Sequence, residues 1–164
     1  MNTNTKAFRE GFRDGIPIGL GYLAVSFSLG ISAKQAGLTP LQGFVTSFLE
    51  NASAGEYIAF TLIGAGATYI ELCLMTIIAN ARYLLMSCAM SQRFSPDTLM
   101  IHRFLVAFDL TDELFGIAIG RPGYLNPYYS YGAFLVALPG WSIGTAAGVI
   151  AGNMLPDDIV KALS

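Results

Sequence analysis

Charge is scarce in this sequence. Nine basic and eleven acidic residues stand among 164, 12% in all, against roughly 25% in soluble domains. So few charges cannot coat a globule of this size, and a soluble enzyme is excluded on composition. Basic excess is missing too: the net charge of −2 offers no field for a phosphate backbone, which excludes nucleic acid as the main partner. Histidine occurs once, at His102, and cysteine twice, at Cys73 and Cys88. Neither a zinc constellation nor a disulfide framework can be built from that set, so no metal and no cofactor is expected. Both cysteines sit in apolar runs and read as small packing residues. Enzyme signatures are absent as well: no H-E-x-x-H, no G-x-S-x-G, no phosphate-cradling G-x-x-x-x-G-K-[ST], and no intramembrane hydrolase pattern.

What the sequence does have is long apolar runs: 54% hydrophobic residues and a mean hydropathy of +0.55. Residues 15–33 carry no charge and reach roughly 28 Å as a helix, close to the hydrocarbon thickness. A signal peptide competes for this run, but its apolar part is too long and Lys34-Gln35 stands where a small-residue cleavage site belongs. Residues 38–49 are apolar but too short to cross, with Thr39 and Pro40 placed as helix N-cap and first residue. That piece reads as a re-entrant half-helix, an interfacial helix, or the start of a helix broken near 51–55. Residues 57–79 hold one charge, Glu71, and read as a second span bounded near Asn80-Ala81-Arg82-Tyr83. Residues 91–103 form a polar loop; 104–120 read as a third span carrying Asp109, Asp112 and Glu113; and 128–154 read as a fourth, inside a charge-free run from Pro122 to Pro156. The expected fold is an all-α, polytopic transmembrane bundle, a single membrane domain over 1–164, with about four spans and one short re-entrant or interfacial helix.

Basic residues cluster at the amino terminus and between Arg82 and Arg103, whereas the connection after the first span holds only Lys34. Both clusters should face the cytoplasm of a cell-membrane protein. Four alternating spans satisfy this and leave Arg121 on the outer side.

Two patterns stand out within the spans. Gly140, Gly144, Gly148 and Gly152 repeat every four residues, as do Gly11, Gly15 and Gly19. Rows of small residues let helices approach closely in lipid, either inside the bundle or at a partner seam. The second pattern is acidic. An ionisable group in a span is costly and by default marks a site or pathway. At i, i+3 and i+4, Asp109, Asp112 and Glu113 share one face of a helix, with His102 near the same stripe, which makes a proton-binding cluster. An interfacial helix with its acids in water is the competing reading. Glu71 lies mid-span and Glu56 at a span entrance, Glu71 being the better placed. Asn80 and Arg82, at the inner boundary, suit orientation or gating, against a competing role for Arg82 as a snorkelling anchor.

Several short pieces, in order, resemble the AzlC family of branched-chain amino acid permeases: Phe8-Arg9-Glu10-Gly11-Phe12, Ile16-Pro17-Ile18-Gly19, Gly37-Leu38-Thr39, Ala54-Gly55-Glu56-Tyr57, Gly64-Ala65-Gly66-Ala67, Asn80-Ala81-Arg82-Tyr83-Leu84-Leu85-Met86, Thr111-Asp112-Glu113 with Phe115, and Trp141 with Gly144-Thr145. The resemblance implies the large subunit of an exporter of valine, leucine and isoleucine, working with a small AzlD-type membrane subunit. It also implies that Glu56 stands where many relatives have glutamine and Tyr83 where many have histidine. Relatives continue past Leu155-Pro156-Asp157-Asp158, so the chain is expected to lack their C-terminal segments.

The function expected is proton-coupled export of branched-chain amino acids. Broken helices would hold the zwitterion and Glu56, Glu71, Asp109, Asp112 and Glu113 would bind ammonium or a proton. A non-transporting scaffold that packs a partner through the glycine rows is the alternative, and a channel a weaker third.

Overall fold

The computed structural model describes residues 2–154, in which every regular element is helical. The elements are α1 (Thr3–Gln35), α2 (Pro40–Glu50), α3 (Ser53–Gly64), α4 (Tyr69–Ala79), α5 (Arg82–Ser91), α6 (Met100–Phe108), α7 (Asp112–Ile119) and α8 (Pro127–Met154). Two of them, α1 and α8, are long and apolar enough to cross a membrane, and α4 with α5 supplies a third span if the pair counts as one broken crossing. At 1.5 Å per residue α1 and α8 reach roughly 50 and 42 Å, a full bilayer including headgroups.

Four continuous spans are therefore not what these residues form. The 57–79 run is interrupted after Gly64, where Gly66 takes φ +70° and Thr68 caps a new helix. The 104–120 run is interrupted between Phe108 and Asp112. The 128–154 run is one helix as expected, and the 15–33 run lies inside the longer α1. Residues 38–49 fall in the short α2, and a turn at Asn80-Ala81 separates α4 from α5. The continuation expected of relatives beyond Leu155 lies outside the described residues.

The chain divides into two compact units: the first holds residues up to Gly19 with Arg82–Leu138, the second Leu20–Ala81 with the chain from Pro139 on. The first has an apolar core of Met90, Phe94, Val106, Leu110, Ala118, Leu125 and Tyr129. Its half of α1 lies against its half of α8 with no room for side chains between them. A Cβ on Gly15 would come within 2.8 Å of the Ala133 Cα, and one on Gly19 within 2.8 Å of the Val136 carbonyl; one on Gly11 would overlap the Tyr129 carbonyl. The second unit repeats the device with its own halves. Gly144 meets Leu23 and Ser26, Gly148 meets Phe27 and Gly30, and Gly152 meets Lys34. Gly140 is half-buried in α8.

Within each unit the contacts ascend along both helices, so α1 and α8 run parallel. An alternation in which the first and last spans point in opposite directions does not hold. The connection into α8 consequently lies at the same end as the start of α1: Arg121 donates to Glu10, and Asn126 Nδ2 donates to Asn4 Oδ1 at 2.9 Å. Arg121 thus joins the amino-terminal charges instead of facing the opposite side.

The outward surface is apolar. No residue of α4 is buried, and Tyr69, Ile70 and Ile78 are 92%, 73% and 66% exposed. Such a surface suits hydrocarbon and would be a liability in water. Cys73 and Cys88 belong to it: both are exposed free thiols, not packing residues, because α4 and α5 turn those faces outward.

Candidate functional site

The second unit contains a helix break built from sequence-local signals. The Thr39 side chain accepts from the Gln42 N–H at 3.3 Å, Gln42 Oε1 accepts from the Thr39 N–H at 2.8 Å, and Pro40 occupies the first helical position. This capping box with its proline starts α2 where the chain leaves α1. Eleven residues later Asn51 adopts φ 45°, its N–H donating to the Ser47 carbonyl. Asparagine is among the few residues that tolerate this left-handed conformation. Helix α3 then begins at Ser53, behind Ala52, which offers no side-chain cap.

The acid of this break is Glu56, in the first turn of α3 and fully buried. Its carboxylate accepts from two neutral donors. Ser47 Oγ of α2 lies 2.6 Å from Oε2, and Trp141 Nε1 of α8 donates to Oε1. Ser47 Oγ also lies 2.7 Å from Thr145 Oγ1. Ser47 has one proton to give, to the carboxylate or to Thr145, whose own hydroxyl donates to the Trp141 carbonyl at 3.3 Å. Trp141 is held in turn by Tyr22 of α1, ring edge to face at 5.1 Å. No ion pair among the described residues includes Glu56. The first turn of α3 adds the positive end of a helix dipole to the same locality.

A second acid flanks the break. Glu50, the last residue of α2, accepts from Asn80 Nδ2 at 3.3 Å. Gly55 makes this possible, since a Cβ there would overlap Glu50 Oε1 and come within 2.5 Å of Asn80 Nδ2. The break therefore gathers carboxylates, hydroxyls and an amide, and Phe60, one turn beyond Glu56, is buried in the same helix.

The other acidic candidates are placed differently. Glu71 is not mid-span. It sits in the first turn of α4 and completes a capping box, accepting from the Thr68 N–H at 2.8 Å while its own N–H donates to Thr68 Oγ1. In the first unit, Asp109, Asp112 and Glu113 do not share a helix face, because α6 ends at Phe108 and α7 starts at Asp112. Asp109 is buried at the end of α6, whereas Asp112 and Glu113 are exposed in the first turn of α7. Arg82 Nη1 pairs with Asp112 Oδ2 at 2.8 Å, and Asn80 serves Glu50. His102 is away from these acids in its contacts: its Nδ1 is 2.7 Å from the Tyr131 hydroxyl. Among the described residues no group of histidine, cysteine, aspartate and glutamate side chains could hold a metal ion. Sequence reading passed over Ser47 and Glu50, and took Trp141 and Thr145 only as family marks. Ser47 and Thr145 are 98 positions apart, a distance no local pattern reports.

Comparison with known proteins adds an independent line. Residues 17–155 match the family model described as AzlC protein. The chain is 28% identical over 152 residues to the inner membrane protein YgaZ of Escherichia coli (strain K12), covering 90% of this chain and 62% of the relative. It is 28% identical over 158 residues to an uncharacterized membrane protein of Archaeoglobus fulgidus, covering 95% and 68%. It is 25% identical over 150 residues to the branched-chain amino acid transport protein AzlC of Bacillus subtilis (strain 168), covering 90% and 58%. The chain thus spans about three-fifths of the length of the first and last of these relatives. No solved structure matches it.

Proposed function

We propose a function on one premise: the chain belongs to the AzlC family. Its reading is a membrane transporter subunit that exports branched-chain amino acids, coupled to the proton gradient, with the α2–α3 break as the place where cargo and proton are handled. The observation that carries this is Glu56, a fully buried acid held by the neutral donors Ser47 and Trp141. An acid so held can exchange a proton for an ammonium group without first giving up an ion pair. Broken helices that place such a group beside a helix N-terminus are the usual means of holding an amino acid inside a membrane. The cell membrane, a cytoplasmic amino terminus and a small AzlD-type partner complete the reading. The basic amino-terminal residues, with Arg121 at the same end, support that orientation. Asp109 remains a second acid that could take a proton, while Glu71, Asp112 and Glu113 fit caps and surface pairs better than cargo sites.

Apart from Gly140, the glycine rows that would suit a scaffold are occupied by contacts between α1 and α8 of this same chain, which weakens the main support of the scaffold alternative. The deciding experiment feeds cells a dipeptide of valine, leucine or isoleucine, with and without the gene and its small partner, and follows the intracellular amino acid. Faster clearance is expected with the pair present. Equal clearance would sink the transport reading.

A further inference from the structure

The first unit holds a polar cavity that takes no part in the Glu56 arrangement. Its volume is about 260 Å³, enough to admit a small amino acid. Lys6, Ala7 and Glu10 of α1 line one side; Arg121, Leu125 and Tyr129 line the other. The cavity therefore combines one acid, two cations and an apolar wall.

Its charges are arranged rather than scattered. Arg121 donates to Glu10 Oε2, and its guanidinium carbon stands 4.4 Å above the Tyr129 ring. The Tyr129 hydroxyl donates to Asp14 Oδ2 at 2.9 Å, and Asp14 lies 4.0 Å from Arg121 Nη1. Lys6 Nζ is 4.0 Å from Glu10 Oε1. From below, Arg93 donates to the Arg121 and Gly123 carbonyls, holding the turn that presents Arg121. The side chains of Glu10 and Arg121 are 29% and 33% exposed, so a small solute can reach both, and a pair this open is weakly held.

We propose that this cavity is a binding site for a zwitterionic α-amino acid with an apolar side chain, its carboxylate on Arg121, its ammonium on Glu10, and its side chain against Ala7 and Leu125. A lone cation or a lone anion entering the cavity would meet a like charge and strand one member of the existing pair. A zwitterion inserted between them gives both a partner and changes the net charge by nothing. Asp14 and Tyr129 stay in place and keep the guanidinium aimed. The proposal rests on the reading that the cargo is an amino acid, and it adds a station in the first unit, built from residues other than those of the α2–α3 break.

The test measures binding of radiolabelled leucine to the purified protein. Leucinamide, which lacks the carboxylate, and 4-methylpentanoate, which lacks the ammonium, should each compete at least about tenfold less well than leucine. Glu10→Gln and Arg121→Gln should each weaken leucine binding by at least about tenfold. The exchange Glu10→Arg with Arg121→Glu restores an ion pair but reverses the cargo against the apolar wall, so it should recover protein level and not leucine binding. Full recovery of binding by that exchange, or wild-type binding in both single variants, overturns the cavity and leaves transport untouched. Failure of the wild-type protein to bind or move leucine at all overturns the transport reading, and this site with it.

Discussion

In the second unit Glu56 is fully buried and accepts from a serine and a tryptophan, whereas in the first unit Glu10, Asp14 and Asp112 all lie within 4.0 Å of an arginine. Both units are made from the same materials, half of each long helix and three short helices. They differ in what neutralises the acid. An arginine favours the ionised carboxylate and so fixes its charge, even where the pair, as at Glu10, is open enough to exchange one partner for another. Neutral donors satisfy its lone pairs and leave its charge negotiable. The lesson concerns which acids in an apolar chain can do chemistry: position in a hydrophobic run selects poorly, and the identity of the partner selects well.

The comparison is most easily broken at Glu56. Glutamine at this position can accept from Trp141 and donate to Ser47, reversing one hydrogen bond and leaving the fold in place. Glu56→Gln should therefore keep protein level and helicity while lowering proton-driven amino acid efflux by about a hundredfold, ~2.7 kcal/mol on the transport barrier, and flattening its pH dependence. Glu56→Leu should lose stability as well, since two buried donors are stranded at about 1–3 kcal/mol each. Efflux measured across a pH series in cells producing each variant separates the two. Undiminished efflux in Glu56→Gln would end the claim that this acid handles the proton.

A smaller effect tests the acid that sequence favoured. Glu71 and Thr68 form a cap, so Thr68→Ala should cost about 1 kcal/mol of stability, read as a lowered melting temperature in detergent. Glu71→Gln, which preserves the capping box, should change neither melting nor efflux. A large loss of efflux in Glu71→Gln alone would move the functional acid to α4.

The reason Glu71 looked attractive and Glu56 secondary is physical. Continuous apolar runs announce length, so α8 was readable almost to the residue from a stretch with no charge, and α2 from the pairing of Thr39 with Pro40. The charged start of α1 is made of good helix formers, so the helix extends twelve residues before the apolar run begins. The interruptions at 65–68 and 109–111 are quiet because flanking residues on both sides are equally apolar. Their signals were small ones: Thr68 three residues before Glu71, and Thr111 as the side-chain cap accepting from Leu114. Without them, a continuous helix places Glu71 at mid-span and three acids on one face. The Glu56 arrangement needs Ser47, Trp141 and Thr145 together, and only the tertiary fold brings them there. The parallel course of α1 and α8 was equally invisible, since glycine spacing specifies closeness without direction.

The mildest test falls on the exposed pair of the first unit. Arg82 and Asp112 are each 46% exposed, and a pair this open contributes about 0–1 kcal/mol. Removing either charge should shift melting by little, and the double variant Arg82→Gln with Asp112→Asn should behave as the sum of the singles to within about 0.5 kcal/mol. Efflux should stay within about threefold of wild type, under ~0.7 kcal/mol. If instead the single variants stop efflux in a normally folded protein and the charge exchange Arg82→Asp with Asp112→Arg restores it, a locked ion pair is what switches during transport. The contrast between the two units would then run the other way, with the arginine-held acid as the working group and Glu56 as a structural tie between α2, α3 and α8.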